Sequence, residues 1–199
     1  MTRAQPMNDV RVLRAIAHPV RNRILSEMAA SGPTRAADIA RDLGIPANQA
    51  SFHLRQLAKY GLVEEAVDEG RDRRDRVWQL VAPEGFALDM GTLEQEPGGK
   101  AAVSVFRQQS AAWAHQVVDA AYSPDHEPGT MQSITTQSLK LTKEEAREFT
   151  GELEDVVLRW AGRTRGRDES RRTYLLHTML LPHSHVDAIT GDPTSDGPA

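Results

Sequence analysis

Thr34-Arg-Ala-Ala-Asp-Ile-Ala-Arg-Asp-Leu-Gly44, then Ile45-Pro46, then Ala47-Asn-Gln-Ala-Ser-Phe-His-Leu-Arg-Gln-Leu-Ala-Lys-Tyr60 is the stretch on which the fold turns. Ala36, Ile39, Ala40 and Leu43 recur at helical spacing, Thr34 stands where a capping hydroxyl belongs, and Gly44 can end the helix at positive φ. Ile45 and Pro46 alone separate this short helix from a second one, Ala47 to Tyr60, which closes at Gly61. Two short helices joined by so tight a turn read as a helix-turn-helix. At 100° per residue, Ala47, Ala50, Leu54, Leu57, Ala58 and Gly61 fall on one side of the second helix. Asn48, Gln49, Phe52, Arg55, Gln56 and Lys59 fall on the other.

Upstream, Val10, Leu13 and Ala17, then Val20, Ile24, Leu25 and Met28, form two helical stripes broken at His18-Pro19, since proline disfavours helix in the residue before it. Gly32-Pro33 stops the second. Downstream, Leu62 to Val67 and Arg76 to Val81 lean towards strand and are joined by the polar loop 68–75, a charged hairpin. A helix fits the major groove of DNA, where Asn or Gln pairs bidentately with adenine and Phe touches a thymine methyl, while Arg55 and Lys59 neutralise phosphates. Arg71, Arg73, Arg74 and Arg76 crowd the hairpin, diluted by Asp72 and Asp75, and such a loop reaches flanking phosphates or the minor groove. Taken singly, the helix also reads as an ordinary polar surface helix, and the hairpin as a solvated turn of cancelling charges.

The chain of 199 residues carries a formal charge of -4, 39% apolar residues and no cysteine. That excludes disulfides, thiolate metal sites, iron–sulfur clusters and cysteine nucleophiles. Apolar runs stay far short of the ~20 residues of a membrane span, and the expectation is a cytoplasmic protein. Residues 1–85 hold 13 basic and 11 acidic side chains (+2), residues 86–199 hold 11 and 17 (-6). Any nucleic-acid contact must therefore use a local patch, not the field of the whole domain.

Leu13-Arg-Ala-Ile-Ala-His-Pro-Val-Arg-Asn-Arg-Ile-Leu25, Ala37-Asp-Ile-Ala-Arg-Asp-Leu-Gly44, Ser51-Phe-His-Leu-Arg-Gln-Leu57 and Tyr60-Gly-Leu-Val63 occur in this order. Together they make the chain resemble the ArsR-type winged helix-turn-helix transcriptional regulators over about residues 9–82. The resemblance implies a homodimer that binds double-stranded DNA, with Ala47 to Tyr60 as recognition helix and Leu62 to Val81 as wing. Carried over by position, Asn48, Gln49, Ser51 and Phe52 approach bases, with Gln56 beside them on the outer face. Arg55, Lys59 and the wing arginines approach the backbone, where Thr34 is placed as well. Two departures stand out: Pro46 replaces the usual capping Ser or Thr, and the paired cysteines of the family's soft-metal sensors are missing.

Residues 86–100, rich in Gly and Pro, read as a linker between a domain at 1–85 and a module at 101–182; the tail 183–199 is expected to be disordered. In the module a long helix spans Ala101 to Tyr122. A strand follows from Ile134 to Leu141, then a helix opened by the capping box Thr142/Glu145, then a strand from Arg172 to Leu181. The fold class expected is mainly α with a small β component. Phe106, Trp113 and Val117 are expected to form the dimer interface along the long helix. The strand, helix, strand segment reads either as a pocket for an unidentified apolar small-molecule effector or as a structural brace.

His115 with Asp119, and His183 with His185, are two-ligand spacings short of a metal site, so neither metal nor other cofactor is assigned. No convergent acid, base and nucleophile emerges, and no enzymatic activity is expected. Two rivals stand beside this reading: a protein-interaction module without specific DNA binding, supported by the near-neutral winged domain, and a small enzyme using the carboxy half, for which the sequence offers no site chemistry.

Overall fold

In the computed structural model, which describes residues 5–66, 76–125, 127–166, 168 and 170–183, the chain begins with β1 (Gln5–Pro6), α1 (Val10–Ile16), α2 (Pro19–Ser31) and β2 (Thr34–Arg35). It continues with α3 (Ala36–Leu43), α4 (Ala47–Lys59), β3 (Val63–Glu65), β4 (Val77–Leu80) and β5 (Phe86–Ala87). Last come α5 (Met90–Gln95), α6 (Gly99–Ala121) and α7 (Lys143–Thr164). This is a mainly helical fold with a small antiparallel sheet, arranged as a winged helix-turn-helix.

The breaks fall where backbone chemistry requires them. Asp9 caps α1 by accepting the Arg11 N–H at 2.7 Å. Pro19 opens α2 at its first position, where a missing N–H costs nothing. Gly44 takes the left-handed conformation (φ 63) while its N–H reaches the Ala40 and Arg41 carbonyls, which turns the chain from α3 into α4 within three residues. Guanidinium groups also meet the ends of α1 and α3, where carbonyls lack partners and the helix dipole favours a cation. Arg21 donates to the Arg14 and Ala15 carbonyls, and Arg23 to the Leu43 carbonyl.

Ile24, Met28, Ile39, Ala50, Leu54, Leu57 and Leu62 are buried together and hold α2, α3 and α4 against the sheet. The sheet has the order β2-β4-β3, antiparallel throughout, with Thr34 opposite Trp78 and Val63 opposite Leu80. A second cluster, Val10, Leu13, Leu93, Ala102 and Val103, joins α1 to α5 and the start of α6.

Several expectations are corrected. Thr34 does not cap α3: it is a strand residue 1% exposed, and the N-cap is Arg35 without a side-chain bond. A β-branched residue opposite Trp78 is drawn into the core, out of reach of a phosphate. The supposed linker 86–100 is structured, because β5 pairs with β1 and Asp89 caps α5, burying Leu93 completely. α6 starts at Gly99 rather than residue 101, and Phe106 packs on the α1 cluster of its own chain. Ile134 to Leu141 and Arg172 to Leu181 form no strand. Strands exist through pairing, and residues 133–141 and 175–182 make no hydrogen bond with any described residue. The capping box of α7 forms as read, with reciprocal bonds of 3.1 and 2.7 Å between Thr142 and Glu145.

A Cβ added at Gly99 would lie 1.8 Å from the Leu93 carbonyl oxygen. Gly99→Ala is therefore expected to lower the unfolding free energy by about 1–3 kcal/mol, the usual cost of overpacking. Urea denaturation with a midpoint equal to that of the parent chain would refute this close approach.

Candidate nucleic-acid interface

The candidate interface lies on α4, because its two faces are so unlike. Ala50, Leu54 and Leu57 have no exposed surface, and His53 is 5% exposed. Asn48, Gln49, Phe52, Arg55 and Lys59 are exposed, Phe52 by half its surface, while Ser51 and Gln56 are partly covered at the flanks. A half-exposed aromatic between polar residues on a well-anchored helix offers apolar contact as well as hydrogen bonding to whatever docks there. Neither Arg55 nor Lys59 is paired with an acid among the described residues, so both charges face outward unused.

Pro46 provides no cap for α4, as its chemistry demands. The Asn48 side-chain oxygen accepts the Gln49 N–H at 2.9 Å instead, alongside the Pro46 carbonyl at 3.0 Å. This bond replaces the hydroxyl cap and was not legible beforehand, since an asparagine two residues into a helix has no characteristic spacing.

The hairpin stands beside α4. Arg76 at its base pairs with Glu65 at 3.1 Å, and Gln79 donates to Glu64 at 2.8 Å. Arg71, Arg73 and Arg74 lie outside the described residues. Of the long-helix residues, Trp113 and Val117 are half-buried beyond the α1 cluster that takes Phe106.

Beneath α4, the His53 ring lies 4.8 Å from that of His18, the residue preceding Pro19, and edge-on to Phe52 at 5.4 Å. Both histidines have a buried Nδ1 without a hydrogen-bond partner among the described residues. Burial pushes the His18 imidazole below its ordinary range, and the Arg21 cation adds to the effect. For His53, burial again comes first, then His18 and Arg21. His53 thus belongs to the seat of α4.

Residues 16–66 match the family model of a helix-turn-helix domain. No curated protein matches the chain. Among solved structures, the chain is similar to the homodimeric winged helix-turn-helix DNA-binding domain of a possible ArsR-family transcriptional regulator from Mycobacterium bovis. The identity is 23%, covering 59% of this chain and 83% of that one, with a TM-score of 0.32. A transcriptional regulator from Thermotoga maritima is 13% identical over 76% of this chain and 82% of its own, with a TM-score of 0.29. A MepR variant from S. aureus, solved bound to an oligodeoxyribonucleotide, is 15% identical over 71% and 78%, with a TM-score of 0.28.

The histidine pair predicts a pH dependence. Both groups take up a proton more readily when unfolded, near the ordinary value of about 6.5, than in the fold. The stability their neutral forms allow is present above that value and is lost as pH falls through it towards the lowered folded values. The melting temperature should be level above about pH 7 and decline towards pH 5, and His53→Phe should flatten the decline. A parent melting temperature unchanged over that interval would contradict the buried neutral pair.

Proposed function

We propose that this chain is a dimeric, sequence-specific DNA-binding transcriptional regulator of the ArsR type, acting in the cytoplasm and without enzymatic activity. The observation that carries this reading is the outer face of α4: Asn48, Gln49, Phe52, Arg55 and Lys59 exposed on a helix whose opposite side buries Ala50, His53, Leu54 and Leu57. In this reading α4 enters the major groove, with Asn48, Gln49, Ser51, Phe52 and Gln56 reading bases. Arg55 and Lys59 hold phosphates, and the hairpin brings Arg71, Arg73, Arg74 and Arg76 to the flanking backbone or minor groove. Two copies, meeting along α6 around Trp113 and Val117, would present their α4 helices to successive major grooves about 34 Å apart. A signal would act by binding one arrangement of the pair better than another, and the module beyond α6 is where an apolar effector would enter.

The deciding experiment is selection from a random duplex pool, followed by a salt titration of the winner. An enriched palindrome with steep salt dependence is expected; no enrichment by a folded chain would favour the protein-interaction reading. Arg73→Ala or Arg74→Ala should each weaken binding to every sequence and flatten the salt slope by about one. Gln49→Ala should cost about 1–3 kcal/mol on the preferred site and relax the preference at one base pair. An equal loss on all duplexes would remove Gln49 from base readout.

A further inference from the structure

Apolar surface left open on this chain is concentrated in one region. Of the large hydrophobic residues exposed among those described, all but Phe52 and Val81 lie beyond residue 100. α7 has no buried residue at all. Tyr174, Leu175, Leu176, Met179, Leu180 and Leu181 are each exposed by 46% or more. Soluble proteins rarely leave apolar side chains this dense in one stretch uncovered. The same segment leaves its backbone donors and acceptors unused, since residues 175–182 make no hydrogen bond with any described residue. Apolar side chains and unpaired peptide groups in one stretch are what an added strand satisfies.

We infer that a second copy of this chain covers this module, residues 173–181 pairing backbone to backbone and antiparallel with the same residues of the copy while the two α7 helices pack side by side. Alternation sets Tyr174, Leu176 and Leu180 on one side of the segment and Leu175, Met179 and Leu181 on the other. A strand apolar on both faces needs cover on both of them.

Two features of α7 fit a copy of itself. Phe149, Leu153, Val156 and Trp160 are spaced by four, three and four residues, the seam by which like helices pack. Charge along the helix is divided: residues 143–155 carry six acidic and two basic side chains, and residues 156–164 carry two arginines and no acid. Antiparallel packing about a twofold axis sets each acidic half against a basic half, so the helix complements its own copy. Arg165 ties the module to the winged domain. Its guanidinium donates to the Ala29 carbonyl at 3.2 Å and the Pro83 carbonyl at 3.1 Å, and the Gly166 N–H reaches the Ala30 carbonyl at 3.3 Å. This interface deepens the dimer proposed above, and rests on the DNA reading only in that it would fix the separation of two α4 helices.

With no cysteine in the parent chain, single cysteines report the pairing directly. His177→Cys, at the midpoint of the segment, should give a disulfide-linked dimer under mild oxidation. Tyr174→Cys should not, because three residues from the axis it stands about 20 Å from its own copy. The parent chain should sediment at twice 22.0 kDa. Leu176→Asp with Leu180→Asp should raise the dimer dissociation constant about 100-fold, as expected when two buried apolar contacts are lost, with the helical signal kept. A monomeric parent, or equal cross-linking at 174 and 177, overturns the inference. Duplex binding measured on the same samples separates the two readings. A dimer that binds no duplex defeats only the functional proposal, and a dimer that binds duplex but cross-links equally at 174 and 177 defeats only this inference. A monomer that binds duplex defeats this inference together with the dimer of the functional proposal while leaving its DNA binding.

Discussion

Ala50, Leu54 and Leu57 pressed against Ile24, Ile39 and Leu62 hold α4 in place, and every outward residue of that helix takes its direction from this contact. A leucine removed from such a site typically costs 2–5 kcal/mol. That is a large share of the stability of a small domain. The histidine pair sits in the same seat and makes it sensitive to protonation, so the surface facing outward and the packing facing inward are not independent. Placing Arg55 and Lys59 on the outer face of a helix anchored in this way keeps their charges solvated at little cost to the core.

The two helices of the helix-turn-helix, their junction and the face each buries were legible because their periods are strong and their ends carry chemical punctuation. The break at Pro19, the left-handed turn at Gly44 and the capping box at Thr142 are local events, decided within a few residues. Readings failed where the deciding partner is remote. Thr34 has the composition of a cap, but strand β4, more than forty residues away, draws it into the sheet. The Gly and Pro content of 86–100 suggested a linker, whereas β1 and α1 supply partners that order it. Asn48 as substitute cap, its side-chain oxygen accepting the N–H of Gln49, and Arg165 as tether, its guanidinium donating to the Ala29 and Pro83 carbonyls, follow no characteristic spacing.

At Ile134 to Leu141 and Arg172 to Leu181 the strand pattern is present and the pairing is not. Residue patterning records what a segment must bury, but not whether the cover comes from the same molecule. The winged domain meets its needs internally, through two clusters joined by α1. The module beyond α6 does not, and its apolar residues are distributed over both sides of the segment rather than one.

The turn from α3 to α4 also limits how this molecule can be controlled. Gly44 is held by two carbonyls, Pro46 has a locked φ, and only Ile45 stands between them. The angle between the helices therefore has little freedom to vary. Under the proposed function, control by deforming this helix pair is closed to such a design. What remains adjustable in the proposed dimer is the position and tilt of one helix pair relative to its copy, a geometry set far from the outer face of α4.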